Sequence, residues 1–481
     1  MKFAKGLVAA LLTSTAASAQ VEDASPDLGT DSLARAEQTS ARPVRTRCTP
    51  ALGEPVECRD PNAAEQAPAF SEQTRAPSMH TDVELQVETV AEGFKFPWAI
   101  AQLPDGRLLV TERAGEMHIV SGETLSPPIA GLPAVEVQEI AGLQDVVLDP
   151  AFASNRTIYW SYMEKRQNGN LMAVARGRLV DGPAPRVEDM EIIYRQQPDL
   201  KSEHGNSGRL LFDHTGALLV ALGDLASTPL RPYIQQFDNS VGKIVRIDTD
   251  GQAAPGNPFE GRADAWPEVW ALGFRNPLGL ALRPGTDQLW SVDVGAFGGD
   301  ELNLINAGAN YGWPVISYGL EYSREQIGEG TQKVGMEQPV YYWDPVISPS
   351  SVMFYSGEMF PEWKDNAFVT SLSQSHLVRL VMEGDKVIGE ERLLADRRER
   401  LRQVQQAPDG ALYVLTDGSQ GRLLRITPKR EAGLRGLALS IVGTFHIASL
   451  LQNGRGATHA PFGRISNWPG MTKHRSGWPT A

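Results

Sequence analysis

The sequence predicts an all-β fold, a six-bladed β-propeller whose ring is closed by its N- and C-terminal strands. Three observations carry this. A tight polar turn followed by a short apolar strand occurs six times between Leu103 and Asp417. The turn-and-strand copies recur about every 45 to 80 residues, and a strand-built unit at such a period marks a propeller. Finally, Glu84–Val90 and Arg422–Thr427 both alternate apolar and polar residues. They are expected to pair in one blade, because closure removes exposed sheet edges.

The six strands expected after the turns are Arg107–Glu112, Thr157–Tyr162, Ala217–Gly223, Gln288–Val294, Asn366–Leu372 and Ala411–Thr416. Between them 82–427 shows no helix-period segment of useful length, although Arg397–Arg402 reads as either a short helix or a loop. That span allows about 58 residues per blade, enough for four strands and their loops.

The flanks read differently. Residues 1–19 combine Lys2 and Lys5, an apolar run and Ala17-Ser18-Ala19. This is the pattern of a secretory signal peptide, too short for a membrane span. Residues 20–81 show neither strand nor helix periodicity and are expected to be a flexible leader. Cys48 and Cys58 are the only cysteines in the chain; in an exported protein such a pair reads as a disulfide. Residues 428–481 carry seven Lys or Arg and one acid, Glu431, and read as an irregular basic tail. A trimmed chain of 82–427 is expected to fold without either arm.

The formal charge of −13 argues against nucleic acid or an anionic membrane as partner. No segment approaches the ~20 apolar residues of a spanning helix. The expected location is periplasmic or secreted.

Chemistry-bearing residues cluster on loops, where a propeller gathers its function. Pro277 and Gly279 force a turn that presents Arg275 and Asn276. Asp293–Glu301 is glycine-rich, which frees backbone carbonyls for an oxygen-seeking cation, and is followed by Asn310–Pro314. Ser202–Arg209 contains His204, and Gly223-Asp224 follows the next strand. Arg397–Arg402 is a basic run. His118 and His214 are assigned no role, and Trp343 reads as either a stacking platform or core.

Taken in order, Gly-Arg-Leu, Leu-Gly-Asp, Gly-Lys-Ile-Val-Arg-Ile, Gly-Phe-Arg-Asn-Pro, Gly-Gly-Asp-Glu, Asn-Tyr-Gly-Trp-Pro and Pro-Asp-Gly-Ala-Leu-Tyr-Val-Leu-Thr-Asp resemble the glucose/sorbosone dehydrogenase family over about 90–427. The resemblance implies a six-bladed propeller, pyrroloquinoline quinone (PQQ), calcium, and oxidation of an aldose C1 hydroxyl to the lactone, with electrons passed to an external acceptor. It implies that Arg275 and Asn276 contact PQQ and that Arg400 and Arg402 hold its carboxylates. The carbonyls of Gly295 and Ala296 would bind the cofactor's calcium, and Glu301 with the Tyr311 carbonyl a second, structural calcium. His204 would be the base, with Asp224 orienting it and Arg275 completing the catalytic set.

The chain also departs from the family pattern. His204 to Arg209 is five residues where the family has four, so one extra residue lies in Gly205–Ser207. Ile140, Val294 and Ser373 stand where the family places a glutamine, a histidine or glutamine, and a lysine. Two other functions therefore stand beside the dehydrogenase: a non-catalytic sugar- or protein-binding propeller, and a calcium-dependent hydrolase of lactonase type using acids such as Asp293, Asp300 and Glu301.

Overall fold

The computed structural model describes residues 49–429 except 139, 203, 205–206 and 225–227. The expected signal peptide and the tail from 430 onward lie outside the described residues. Six four-stranded antiparallel sheets are arranged as the blades of a β-propeller. Leu85–Phe94 lies beside Gly421–Pro428 in the last sheet, whose other strands are Leu412–Thr416 and Leu401–Gln406. The ring is thus closed by strands from both ends of the fold, as the alternation of those segments predicts. The described helices are single turns, such as Phe152–Asn155 and Arg231–Ile234.

The repeated gesture has a definite place. Each predicted strand is the second of its blade: Leu108–Glu112, Thr157–Lys165, Leu218–Leu222, Leu289–Asp293, Ala367–Ser371 and Leu412–Thr416. Each turn leading to it carries a residue in the left-handed region: Gly106, Arg156, Gly216, Gly285, Asp365 and Gly410, with φ between 58° and 89°. Glycine adopts that conformation without steric cost, which is why four of the six turns were legible as Gly turns. Arg397–Arg402 resolves into a turn that enters the strand Leu401–Gln406.

The first strands of the blades face the axis. They are Pro97–Gln102, Leu143–Leu148, Leu210–Phe212, Pro277–Leu282, Pro349–Phe354 and Leu401–Gln406. Residues from all six line a cavity of about 550 Å³. One side chain ties this centre together. Arg209 pairs with Asp145 at 3.2 Å, donates to the carbonyls of Leu278 (2.9 Å) and Ser350 (3.2 Å), and lies 4.2 Å over the Trp98 ring. Those partners belong to, or adjoin, the first strands of four other blades.

Residues 49–81 do not behave as a flexible leader. Asn62 and Ala63 donate backbone N–H groups to the Asp344 carboxylate at 2.8 and 2.9 Å. Thr81 gives Glu391 both its N–H and its hydroxyl, each at 2.7 Å, and Arg379 donates to the same carboxylate at 2.7 Å. Burial alone would push Glu57 up, but Arg59 and Arg392 hold it at about 2. Ala76 and Gln73 are buried, and Gln73 donates to the Pro339 carbonyl at 2.9 Å. The arm docks through hydrogen bonds to buried carboxylates, and that leaves no periodic trace in its sequence. Cys58 is disulfide-bonded; Cys48 lies outside the described residues.

Removal of residues 49–81 should therefore lower the melting temperature. Glu391 and Asp344 would each lose two donors, and a hydrogen bond to a charged group contributes about 1.5–3 kcal/mol. Calorimetry of the trimmed and full chains checks this. An unchanged melt would show that the arm adds nothing to stability.

Among the described residues, a second compact unit joins residues 83–86 with 427–429. In it the Lys429 N–H donates to the Glu84 carbonyl at 2.7 Å. No helix among the described residues is long and apolar enough to cross a membrane.

Candidate active site

The turn carrying Arg275 and Asn276 is built on a buried carboxylate. Asp293, the last residue of its strand, accepts the backbone N–H groups of Arg275 (2.9 Å) and Asn276 (2.6 Å). Burial pushes Asp293 up to about 6 despite those two donors. With its backbone so fixed, Arg275 folds back over the next loop. Its Nη1 donates to the carbonyls of Val294 (2.8 Å) and Gly295 (2.7 Å). Arg275 Nε and Asn276 Oδ1 are buried and have no hydrogen-bond partner among the described residues.

The Gly295 loop is held in the same manner. Asp300 accepts N–H groups from Gly295 (2.8 Å), Ile347 (2.6 Å) and Ser348 (2.7 Å), joining two loops that face one cavity. A side chain at Gly295 would meet the Gly298 carbonyl at 2.3 Å, so only glycine fits. Burial pushes Asp300 up to about 7. Glu301 is half-buried, and desolvation together with the charges of Asp293 and Asp300 pushes it up to about 8. Asn303 donates to its carboxylate at 3.0 Å. Three carboxyls in or beside the loop are thus held in surroundings that oppose their negative charge.

The cavity has a volume of about 570 Å³ and is lined by Gly295, Ala296, Val294, Ser348, Ser373 and the arm residue Asn62, among others. Ligand sites typically occupy ~300–1,000 Å³. Tyr322 lines both this cavity and a neighbouring one of about 370 Å³ that contains Arg275. The sequence-predicted residues Gly295, Ala296 and Arg275 are therefore brought to one region.

Arg400 and Arg402 converge on Asp417, at 2.8 and 3.2 Å. Burial would raise Asp417, but Arg402 and Arg400 hold it below the usual carboxylate range. Arg402 is buried and its Nε has no partner among the described residues. Arg400 is half exposed and reaches the Leu372 carbonyl, next to cavity-lining Ser373, at 3.4 Å.

Asp224 is fully buried, and Trp313 Nε1 donates to its Oδ2 at 2.7 Å. Its backbone N–H donates to the Arg275 carbonyl at 2.8 Å. Sequence reasoning missed this role of Trp313, which lies in the Asn310–Pro314 segment that follows the glycine-rich loop. His204 is half-buried; the extra residue falls in a stretch where 205 and 206 lie outside the described residues. Tyr311 spends its phenol on structure, donating to the Leu304 carbonyl and accepting from the Asn306 N–H, which leaves its backbone as the candidate ligand. Trp343 is core: it is buried and donates to Glu390 at 3.0 Å. Ile140 is 42% exposed.

A family model described as glucose/sorbosone dehydrogenase matches residues 94–425. The chain belongs to this family. It is 40% identical over 350 residues to the aldose sugar dehydrogenase YliI of Escherichia coli K12, covering 72% of this chain and 93% of that protein. A crystal structure of a glucose dehydrogenase is 44% identical, with a TM-score of 0.68 over 71% of this chain and 99% of that one. The PQQ-bound aldose sugar dehydrogenase of Streptomyces coelicolor is 26% identical, with a TM-score of 0.59 over 72% and 99%. Within the glucose/sorbosone dehydrogenase family, then, the fold extends to relatives of low identity.

Proposed function

We propose that this protein is an extracytoplasmic oxidoreductase that converts the C1 hydroxyl of an aldose to the lactone, using PQQ and calcium. The observation that carries the reading is Arg275: its buried Nε has no hydrogen-bond partner among the described residues, and it lines a cavity that shares Tyr322 with the one edged by Gly295 and Ala296. Such atoms cost free energy unless a ligand meets them. The donor set fits the absent groups. A calcium ion prefers carbonyl and carboxylate oxygens, which the Gly295 and Ala296 backbone and, at a second site, Glu301 with the Tyr311 carbonyl would offer. The Gly295 carbonyl already accepts from Arg275 but has a second lone pair to give. The Arg400–Arg402 pair suits a carboxylate by charge and by planar geometry. When bound, the quinone supplies the hydride acceptor.

The chain's own residues do the rest. His204 takes the proton of the sugar hydroxyl, a task for which imidazole is suited near neutral pH. Asp224 orients that imidazole and stabilises its charged form. Trp313, through its bond to Oδ2, fixes the rotamer of Asp224. An external electron acceptor would be needed to complete turnover.

PQQ titrated into calcium-loaded protein should saturate at submicromolar concentration by absorbance, and dye-linked oxidation of aldoses should appear only with both additions. Val294 and Ser373 line the cavity without supplying a charged group, and this favours a second reading, a non-catalytic binding propeller. Absence of PQQ binding at high micromolar concentration would support that reading and overturn the first.

A further inference from the structure

The hairpin between Leu108–Glu112 and Met117–Ser121 carries a cluster that the sugar-oxidising site does not use. Glu112 and Glu116 face each other across the turn: the Glu112 N–H donates to the Glu116 carbonyl at 2.8 Å. Directly opposed residues of a hairpin project on one face, and His118, two residues beyond Glu116, projects there too. Two carboxylates opposed in this way repel unless a cation lies between them. Ligand atoms of Glu112, Glu116 and His118 all lie within 4.8 Å of one another.

The imidazole is set for coordination. His118 Nδ1 lies 2.9 Å from the Ser126 carbonyl, which can only accept a hydrogen bond. Nδ1 therefore carries a proton, and in the neutral ring Nε2 is the nitrogen with a lone pair to give. Nε2 lies 3.8 Å from Glu116 and 4.0 Å from Glu112, too far for a hydrogen bond. The residue is only 8% exposed, so these two carboxylates are what Nε2 faces. A carbonyl behind one imidazole nitrogen, with the other turned to carboxylates, is the outer-shell arrangement of metal-binding histidines. Glu112 is buried; burial and the Glu116 charge oppose its negative charge, while the Lys95 N–H and the charges of His118 and Lys95 favour it. Glu116 is half exposed and leaves the cluster open to solvent.

We propose that Glu112, Glu116 and His118 form a binding site for a divalent transition-metal ion, of the class of Zn²⁺ or Co²⁺. One nitrogen and two carboxylate oxygens are the donors; water completes the shell from the exposed side. The nitrogen donor favours such ions over calcium, which takes oxygen ligands. The site shares no residue with the proposed calcium ligands, and its nitrogen donor is the ground for expecting Co²⁺ to bind in the presence of saturating calcium.

The test is a Co²⁺ titration of untagged full-length protein held in excess Ca²⁺, followed by visible absorbance and by calorimetry. The expected result is one Co²⁺ per chain with Kd of ~10 µM or tighter, displaced by Zn²⁺. His118→Asn, whose amide can still donate to the Ser126 carbonyl, should weaken binding at least tenfold (about 1.4 kcal/mol). Glu116→Gln, on the exposed side where folding is not at stake, should do the same. Aldose oxidation with PQQ should be unchanged in both variants. No saturable binding below millimolar Co²⁺, or equal titration of wild type and both variants, would overturn the site.

Discussion

Arg209→Met should destabilise the protein by about 3–5 kcal/mol, the usual result of removing one partner from a buried ion pair. Asp145 would be left buried at 2% exposure with its charge uncompensated. Its carboxyl is already raised by burial, and Arg209 is the chief influence pulling it down. The Leu278 and Ser350 carbonyls would each lose a donor, and the Trp98 ring its cation. Guanidinium unfolding checks the figure. Arg209→Met with Asp145→Leu should recover part of the loss, because an apolar pair needs no partner charge. A single-variant loss below ~1 kcal/mol, the level of an exposed pair, would mean that Arg209 does not hold the blades together.

His204→Ala should lower kcat for aldose oxidation by roughly 10²–10⁴, the contribution of a positioned general base. PQQ affinity should stay within a factor of about two, a negligible free energy, since no cofactor contact is assigned to His204. Trp313→Phe should give a smaller loss in kcat. It removes the 2.7 Å bond to Asp224 but leaves the carboxylate itself in place. Steady-state kinetics on PQQ-loaded protein separates the two effects. A His204→Ala enzyme of unchanged kcat would remove His204 from the mechanism and point to another base.

What was legible in the sequence was what a local pattern can encode. The six second strands announced themselves because each needs a left-handed residue in the turn before it and an apolar run after it. Arg275, Asn276, Gly295 and Ala296 were legible through short motifs within one blade, and the structure brings them to one region. The central role of Arg209 was not legible, because its partners Asp145, Leu278 and Ser350 are 64, 69 and 141 residues away. The docking of residues 49–81 was hidden for a related reason. The contacts run from backbone N–H groups, which every residue but proline has, to acids 282 and 310 positions later. The role of Trp313 was not legible, because nothing near it in sequence shows that its indole meets Asp224, 89 residues away.

Those long separations bear on the order in which the molecule is assembled. A chain made from its N-terminus produces Asn62 early, yet the Asp344 carboxylate that seats it comes 282 residues later. Asn62 also lines the cavity with Gly295 and Ser373. The arm must therefore wait, undocked, until the fourth blade exists, and contacts so distant along the chain close late because the loop entropy comes first. The wall of the cavity is among the last parts of the fold to be completed. A nascent chain released just before Asp344 has every residue of the arm and of the first four blades, but cannot finish the pocket.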